Sequence, residues 1–225
     1  WSNAVDWVND DYFDAVMNYA YFKDPVMRFF NTRKCNAKDF DRDLKQGLLS
    51  YPAQATQVMM NLIDSHDTFR YLESCNGDIS RLEMAVLFQM TYVGTPHIWY
   101  GDEVGMMGAH DPDCRQPFNW EYTENSKKVN LRNYYKKLIQ IRKENSCLRT
   151  GSFKTLIADG MVYGYLRSDE NSSIVVILNN DTKTHKIEIP LETDYVVNLL
   201  TDKEYLIKDG MLEIELDAMS GAILK

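Results

Sequence analysis

Cysteine is scarce and scattered. Cys35, Cys75, Cys114 and Cys147 stand 40, 39 and 33 positions apart and never form a Cys-x-x-Cys pair, which excludes a zinc knuckle and a thioredoxin-type motif. Four isolated thiols are too sparse for a disulfide framework and point to a reducing, cytoplasmic compartment. Positive charge is in deficit. Against 33 Asp and Glu there are 25 Lys and Arg, for a net charge of −8 and a pI near 5.0. A binder of nucleic acid or of an anionic membrane would need a basic face, so neither partner is expected. Long hydrophobic runs are missing too. The longest uncharged stretch, Met84–Gly101, has 18 residues, the lower limit for a membrane span. Gln89, Thr91, Gly94, Thr95, Pro96 and His97 divide it into a helix, a break and a strand. No basic start followed by an apolar stretch reads as a signal peptide, and no repeat or low-complexity tract stands out.

What is present is ordinary globular composition, with 44% hydrophobic and 26% charged residues. The 225 residues allow one large domain or two smaller ones. Aromatic residues reach 12%, including 14 Tyr and 4 Trp. That supply suits a sugar- or ring-binding surface, although most such residues belong to cores.

The first 145 residues alternate apolar runs with helical patterns. Tyr12–Tyr19 reads as a strand, leading through Pro25 to a helical turn at Val26–Phe30. Asn36 reads as an N-cap, with Asp39 three residues on and an apolar face of Phe40, Leu44 and Leu48. Val58–Ile63 is apolar apart from Asn61, as a buried parallel strand should be. Asp78 caps the next helix, and His97–Tyr100 reads as another strand. Ser126 opens a basic amphipathic helix carrying Leu131, Tyr134, Leu138 and Ile141. Strand and helix thus alternate three times, which implies an α/β fold with a parallel sheet. From about Asn145 the texture changes to short β runs: 153–158, 162–167, 174–178, 186–190, 195–200 and 211–216. Leu212, Ile214 and Leu216 alternate with Glu213 and Glu215 as in a half-buried strand. Asp159-Gly160 and Asp209-Gly210 read as hairpin turns. These features predict an antiparallel β-sandwich over 149–225, following an α/β part over 1–148. Three βα units cannot close a barrel of eight.

Three segments could carry chemistry. In Asn61–Thr68 a polar cluster, Asp64-Ser65-His66-Asp67, ends an apolar strand, where parallel α/β folds place their sites. His66 and Asp67 offer a donor and an acceptor to neighbouring hydroxyls of one sugar ring; equally, Asp64, Ser65 and Asp67 could cap the following helix. The His-Asp pair could also belong to a metal-dependent phosphohydrolase, but only four His exist and His66 alone stands directly at a strand end, so no metal site is expected. In Gly94–Gly105, Gly and Pro punctuate a strand, and Gly101-Asp102-Glu103 turns the chain at its end. That segment is architecture first, with polar residues shaping a rim. In Ala109–Trp120 a loop gathers Asp111, Asp113, Arg115, Phe118 and Trp120. Arg115 can fork hydrogen bonds to a carboxylate or hydroxyls, and the two rings can cover a sugar face. A salt-bridged surface loop is the plainer reading.

In order and spacing the three segments resemble the closing third of the α-amylase superfamily, glycoside hydrolase family 13. Asp64–Thr68 resembles its seventh-strand motif, and Gly94-Thr95-Pro96 through Gly101-Asp102-Glu103 its eighth. The Ser-His-Asp-Thr form, with Asp111–Arg115 and Trp120, is most similar to the neopullulanase, cyclomaltodextrinase and maltogenic-amylase branch. Leu138–Arg142 and the β-rich tail match that family's last barrel helix and C-terminal domain. The chain departs at Asp64, where Gly or Asn is commoner, and at Trp99, where Tyr is usual.

The resemblance implies strands six to eight of a (β/α)8 barrel, then an all-β domain. It implies retaining hydrolysis of α-1,4 and also α-1,6 bonds in starch, pullulan or cyclomaltodextrins, together with transglycosylation. Asp67 would be the transition-state stabiliser, with His66, Asp111 and Arg115 contacting substrate. Retaining enzymes need a nucleophile and an acid about 5–5.5 Å apart. In the family both lie upstream of this stretch, as do its calcium sites; no cofactor is implied for the residues here. Trp1, in place of an initial Met, resembles the last residue of the family's Gly-Glu-(Ile/Val)-Trp acid motif, so the chain is expected to be a piece lacking both groups and inactive alone. A non-catalytic amylase-like binding protein or transporter subunit is the alternative. The open barrel edge is expected to self-associate, and residues from about 151 to fold alone.

Overall fold

The computed structural model of the chain describes residues 2–9 and 11–225; Trp1, with its proposed motif match, lies outside them. After a 3-10 turn at Ser2–Trp7, the predicted strand over Tyr12–Tyr19 is much shorter. Phe13 bridges back to Val8, and Val16–Asn18 pairs with Met60: Asn18 N donates to Met60 O (2.9 Å), and Met60 N to Val16 O (3.2 Å), in a parallel bridge. From Tyr19 to Asn31 the chain is one helix, made of a π-turn (Tyr19–Lys23), α1 (Asp24–Val26) and a second π-turn (Met27–Asn31). Pro25 removes a donor and crowds the preceding carbonyl, and the widened turns on either side accommodate it. Phe22, Val26, Phe29 and Phe30 are fully buried along it.

Helix α2 (Ala37–Ser50) starts where the sequence predicts, with Asn36 Oδ1 accepting from Asp39 N at 2.9 Å. Phe40 and Leu44 point into the core, and Gly47 is required because a Cβ there would lie 2.5 Å from Tyr21 Cβ. Helix α3 (Ala53–Val58) takes up Val58, so strand β1 shrinks to Met60–Leu62. After α4 (Tyr71–Ser74) comes α5 (Ile79–Thr91), whose N-cap Asp78 accepts from Ser80 N and Arg81 N. Strand β2 is Thr95–His97, earlier than predicted, and pairs in parallel with β1 in the register Met60 with Thr95 and Leu62 with His97. Trp99 and Tyr100 fall in a turn instead, where Asp102 N donates to Trp99 O and Gly101 takes a φ of +91°. Asn61, buried in β1, joins these strands: it accepts from Asn18 Nδ2 (2.9 Å) and donates to Val93 O (2.6 Å).

Helix α6 (Ser126–Glu144) buries Leu131, Tyr135, Leu138 and Ile141, so Tyr135 is the core residue and the predicted Tyr134 is half-buried. After α7 (Cys147–Thr150) follow β3 (Ser152–Asp159), β4 (Val162–Ser168), β5 (Ser173–Asn179), β6 (His185–Pro190), β7 (Tyr195–Val197), β8 (Glu204–Leu206), β9 (Met211–Leu216) and β10 (Ser220–Leu224). Neither β8 nor β10 was expected. An antiparallel sheet in the order β10-β5-β4-β3 is covered on both faces. Tyr163, Tyr165, Ile174, Val176, Leu178 and Ile223 join the helix-side core, where Phe40 stacks on Phe29 (4.5 Å) and meets Tyr163 edge-on (5.1 Å). Val175, Ile177, Ala222 and Leu224 face Ile187, Ile189, Leu212 and Ile214 of the β6–β9 pair. The helix-side core therefore continues across the predicted boundary at 148/149. Arg167, fully buried, fixes that crossing by donating to Thr91 O (2.7 Å), Gly151 O (3.0 Å) and Ser152 O (3.0 Å).

Candidate functional site

The loop after β1 is built by its own short side chains. Ser65 N donates to Thr68 Oγ1 (3.0 Å) and Asp67 N to Ser65 Oγ (3.2 Å), while Tyr19 OH lies 3.1 Å from Ser65 Oγ. Asp64 is fully buried and caps α4, its Oδ2 accepting from Tyr71 N at 2.6 Å. The capping reading therefore holds for Asp64, while Asp67 is left free to point outward.

Asp67 and His66 stand at the surface, with side chains 59% and 50% exposed and His66 Nε2 3.2 Å from Asp67 Oδ1. The third segment comes back to them. Arg115 places Nη2 3.5 Å from Asp67 Oδ1 and Nε 3.2 Å from Asp111 Oδ1, and Nε donates to His66 O at 3.0 Å. All four predicted site residues thus meet at one rim, beyond the C-terminal ends of β1 and β2. Ion pairs this exposed contribute little stability; their effect is to hold a carboxylate, an imidazole and a guanidinium together where hydroxyls can reach them. Cys114 Sγ also donates to His66 O (3.2 Å), and Trp99 Nε1 donates to Cys114 O (3.4 Å) with its ring 5.6 Å from that of His66. The loop is braced by Asp113, which accepts from Ala109 N (2.6 Å) and from Gln116 Nε2 (2.5 Å); these bonds hold its carboxyl below the usual range. Phe118 and Trp120 pack on one another at 4.7 Å, leaving Trp120 79% exposed.

The second segment is chiefly architecture, as its Gly and Pro punctuation predicts, and its Asp102 lies below the rim instead of shaping it. Asp102 is buried and receives Arg70 Nη1 at 3.1 Å; the same nitrogen donates to Tyr100 O at 2.8 Å. Arg70 was not anticipated. Its signal was a charged residue between Phe69 and Tyr71 at a helix start, which demands a buried counter-charge. Burial pushes the Asp64 carboxyl up; burial and the charge of Asp64 push Asp102 well above the ordinary carboxylate range. Among the described residues, no three His, Cys, Asp or Glu side chains form a metal-binding cluster, and no helix is long and apolar enough to cross a membrane. The four cysteines are buried free thiols.

Comparison with known proteins bears on what this rim does. The family profile described as "Alpha amylase, catalytic domain" matches residues 2–151. Over the whole chain, the sequence is 41% identical to neopullulanase 2 of Thermoactinomyces vulgaris and 43% identical to a cyclomaltodextrinase of Thermoanaerobacter pseudethanolicus. It spans 39% and 38% of those two proteins, about two fifths of their length. A solved cyclomaltodextrinase structure superposes with a TM-score of 0.90 at 37% identity, over 97% of this chain and 38% of that one. The debranching enzyme of Nostoc punctiforme superposes with a TM-score of 0.88 at 28% identity, over all of this chain and 50% of the other.

Proposed function

The chain belongs to the α-amylase family, and from that premise we propose that it is the closing part of a retaining α-glucan hydrolase's (β/α)8 barrel, through residue 148, with its C-terminal β domain over 149–225. The parent enzyme would cleave α-1,4 and α-1,6 glucosidic bonds of starch, pullulan or cyclomaltodextrins and transfer glucosyl units to acceptors. Asp67 is its transition-state stabiliser. Its carboxylate accepts the ring's 2-hydroxyl, a bond that strengthens as the ring approaches an oxocarbenium ion. His66 contacts the adjoining hydroxyl. Arg115 holds Asp67 and Asp111 in register and meets substrate with Asp111. The observation that carries this reading is the convergence of these four side chains at one exposed rim. The chain alone is inactive, since Asp67 neither attacks the anomeric carbon nor protonates the leaving oxygen, and the nucleophile and acid are supplied by upstream sequence.

The test is Asp67→Asn in the full-length enzyme, assayed by reducing-sugar release from starch, pullulan and cyclomaltodextrins. The amide cannot offset developing positive charge, so kcat should fall by on the order of a hundredfold or more with the melting temperature unchanged. Near-normal turnover in that variant would refute the assignment.

A further inference from the structure

Beneath the exposed His66–Asp67 pair lies a second polar group with no solvent exposure to speak of. Arg70 is fully buried, and its guanidinium lies 4.9 Å from the Tyr100 ring and 5.9 Å from the Trp99 ring. Nη1 ties it to Tyr100 O and to Asp102 Oδ1. Asp102 and Asp64 interact side chain to side chain, and Asp102 Oδ2 and Asp64 Oδ1 receive no hydrogen bond from a donor among the described residues. Asp64 is anchored in turn by Tyr71 N. The end of β1 and the turn after β2 are therefore joined through one guanidinium and two carboxyls.

Charge decides how such a unit is built. A buried guanidinium needs one negative partner. Two carboxylates would leave a surplus charge in a site where Glu103, His97, Tyr71 and Tyr135 are the other titratable neighbours. One proton between the two unpartnered oxygens removes the surplus and supplies the missing hydrogen bond. From this unit a continuous set of contacts leads to the rim: Arg70 to Trp99, Trp99 to the His66 ring and to Cys114 O, and Cys114 back to His66 O.

We propose that Arg70, seated on Asp102 and Asp64, is a positioning residue that sets the Trp99–Tyr100 turn and through it holds His66 and Asp67 at the rim. Only the purpose of that rim, contact with glucan, rests on the function proposed above; the positioning itself does not. Arg70→Lys keeps the charge but loses the planar guanidinium that lies against the Tyr100 and Trp99 rings. In this chain, hydrogen exchange of the Trp99 indole N–H should quicken by on the order of tenfold in that variant. The His66 ring resonances should move, while amides of β4 and β5 keep their protection. Asp102→Asn retains both an acceptor for Arg70 and a donor toward Asp64, so it should preserve the wild-type Trp99 and His66 signals; Asp102→Leu should lose them as Arg70→Lys does. The Asp102 pair carries the test if Arg70→Lys fails to fold.

A folded Arg70→Lys protein, melting earlier yet with unchanged Trp99 exchange and His66 resonances, would overturn the proposal. So would an Asp102→Asn protein that behaves like Asp102→Leu. Titration with maltotetraose adds a separate arm, in which Arg70→Lys should bind on the order of tenfold more weakly than wild type. Absence of maltotetraose binding by the wild-type chain would count against the glucan reading and leave the Trp99 and His66 result to decide the positioning role.

Discussion

The two halves of the chain are held together by different means. Before residue 151 the strands are minimal: β1 and β2 share three residue pairs, and Val16–Asn18 adds one bridge. Helices, the buried polar joints at Asn61 and Arg70, and aromatic packing do the rest. Beyond 151 the backbone pairs itself, with β4 and β5 in seven-residue register and β10 alongside. Pairing is not independence, however. One face of that sheet belongs to the helix-side core, so the better-paired half relies on the poorly paired one for cover. Conversely, α5 buries Leu82 and every residue from Met84 to Thr91, because strands lie on one side of it and the β sheet on the other.

The largest effect should come from cutting at this seam. Residues 151–225 expressed alone would expose Tyr163, Tyr165, Ile174, Val176, Leu178 and Ile223. At about 1.5–3 kcal/mol for each large side chain, the loss is on the order of 10 kcal/mol, comparable to the whole stability of a domain. The fragment should therefore bind hydrophobic dye and lack dispersed methyl resonances. A sharply melting, monodisperse fragment would restore the sequence-based expectation that this half folds alone. The matching fragment 1–150 should aggregate. It would uncover the same core and already exposes Tyr12 (63%), Phe13 (56%) and Val58 (51%) near its open edge.

Next in size is Arg167→Met. It removes the donor that serves Thr91 O, Gly151 O and Ser152 O, leaving buried carbonyls unpaired at a cost of about 3 kcal/mol or more. By contrast Arg28→Ala, which breaks the exposed pair with Asp43, should change stability by less than about 1 kcal/mol. Urea denaturation of the two variants makes the comparison directly. Equal effects would mean that the buried staple does not hold the halves together.

A pH series isolates the Asp64–Asp102 unit. Both carboxyls are raised on folding, primarily by burial. Folding therefore binds a proton more tightly, and its stabilisation is complete below the unfolded carboxylate value and is lost as pH rises through the folded one. Asp102→Asn needs no proton. Its melting temperature relative to wild type should climb as pH rises above the ordinary carboxylate range, and a constant difference across that range would count against the shared proton.

How much of this was legible beforehand follows from which interactions are local. The caps at Asn36 and Asp78 and the β-rich tail were readable, because spacing and side-chain type encode them within a few positions; the four rim residues came from the family resemblance, and their meeting at one rim is not encoded locally. The strand ends in the first half were misplaced by one to four residues, since they depend on what lies beside them: Val16–Asn18 pairs only where Met60 reaches it, and Gly101 draws Trp99 and Tyr100 into a turn. Gly101-Asp102-Glu103 read correctly as a turn, but the burial of Asp102 and its partner Arg70 went unnoticed. Each has its counter-charge about 30 positions away, which no local pattern reports. Strands β8 and β10 were missed for a similar reason: β10 is defined by its place beside β5 and not by alternation.

The smallest effects settle whether the halves unfold as one. Asn36→Ala removes the α2 cap in the first half and should cost about 1 kcal/mol. Gly210→Ala puts a side chain at φ +73° in the Asp209-Gly210 turn, where nothing crowds the added carbon. The left-handed conformation alone should cost about 1–2 kcal/mol there. Every tryptophan lies at or before Trp120, so indole fluorescence reports the first half only, while hydrogen exchange of β9 and its partner β6 reports the second. If the shared core couples the halves, Gly210→Ala moves the fluorescence transition by its full cost, and the double variant moves it by the sum, since distant sites add to within about 0.5 kcal/mol. A fluorescence transition that ignores Gly210→Ala, with exchange quickened in β9 alone, would show two separately stable units and break the comparison drawn from the seam.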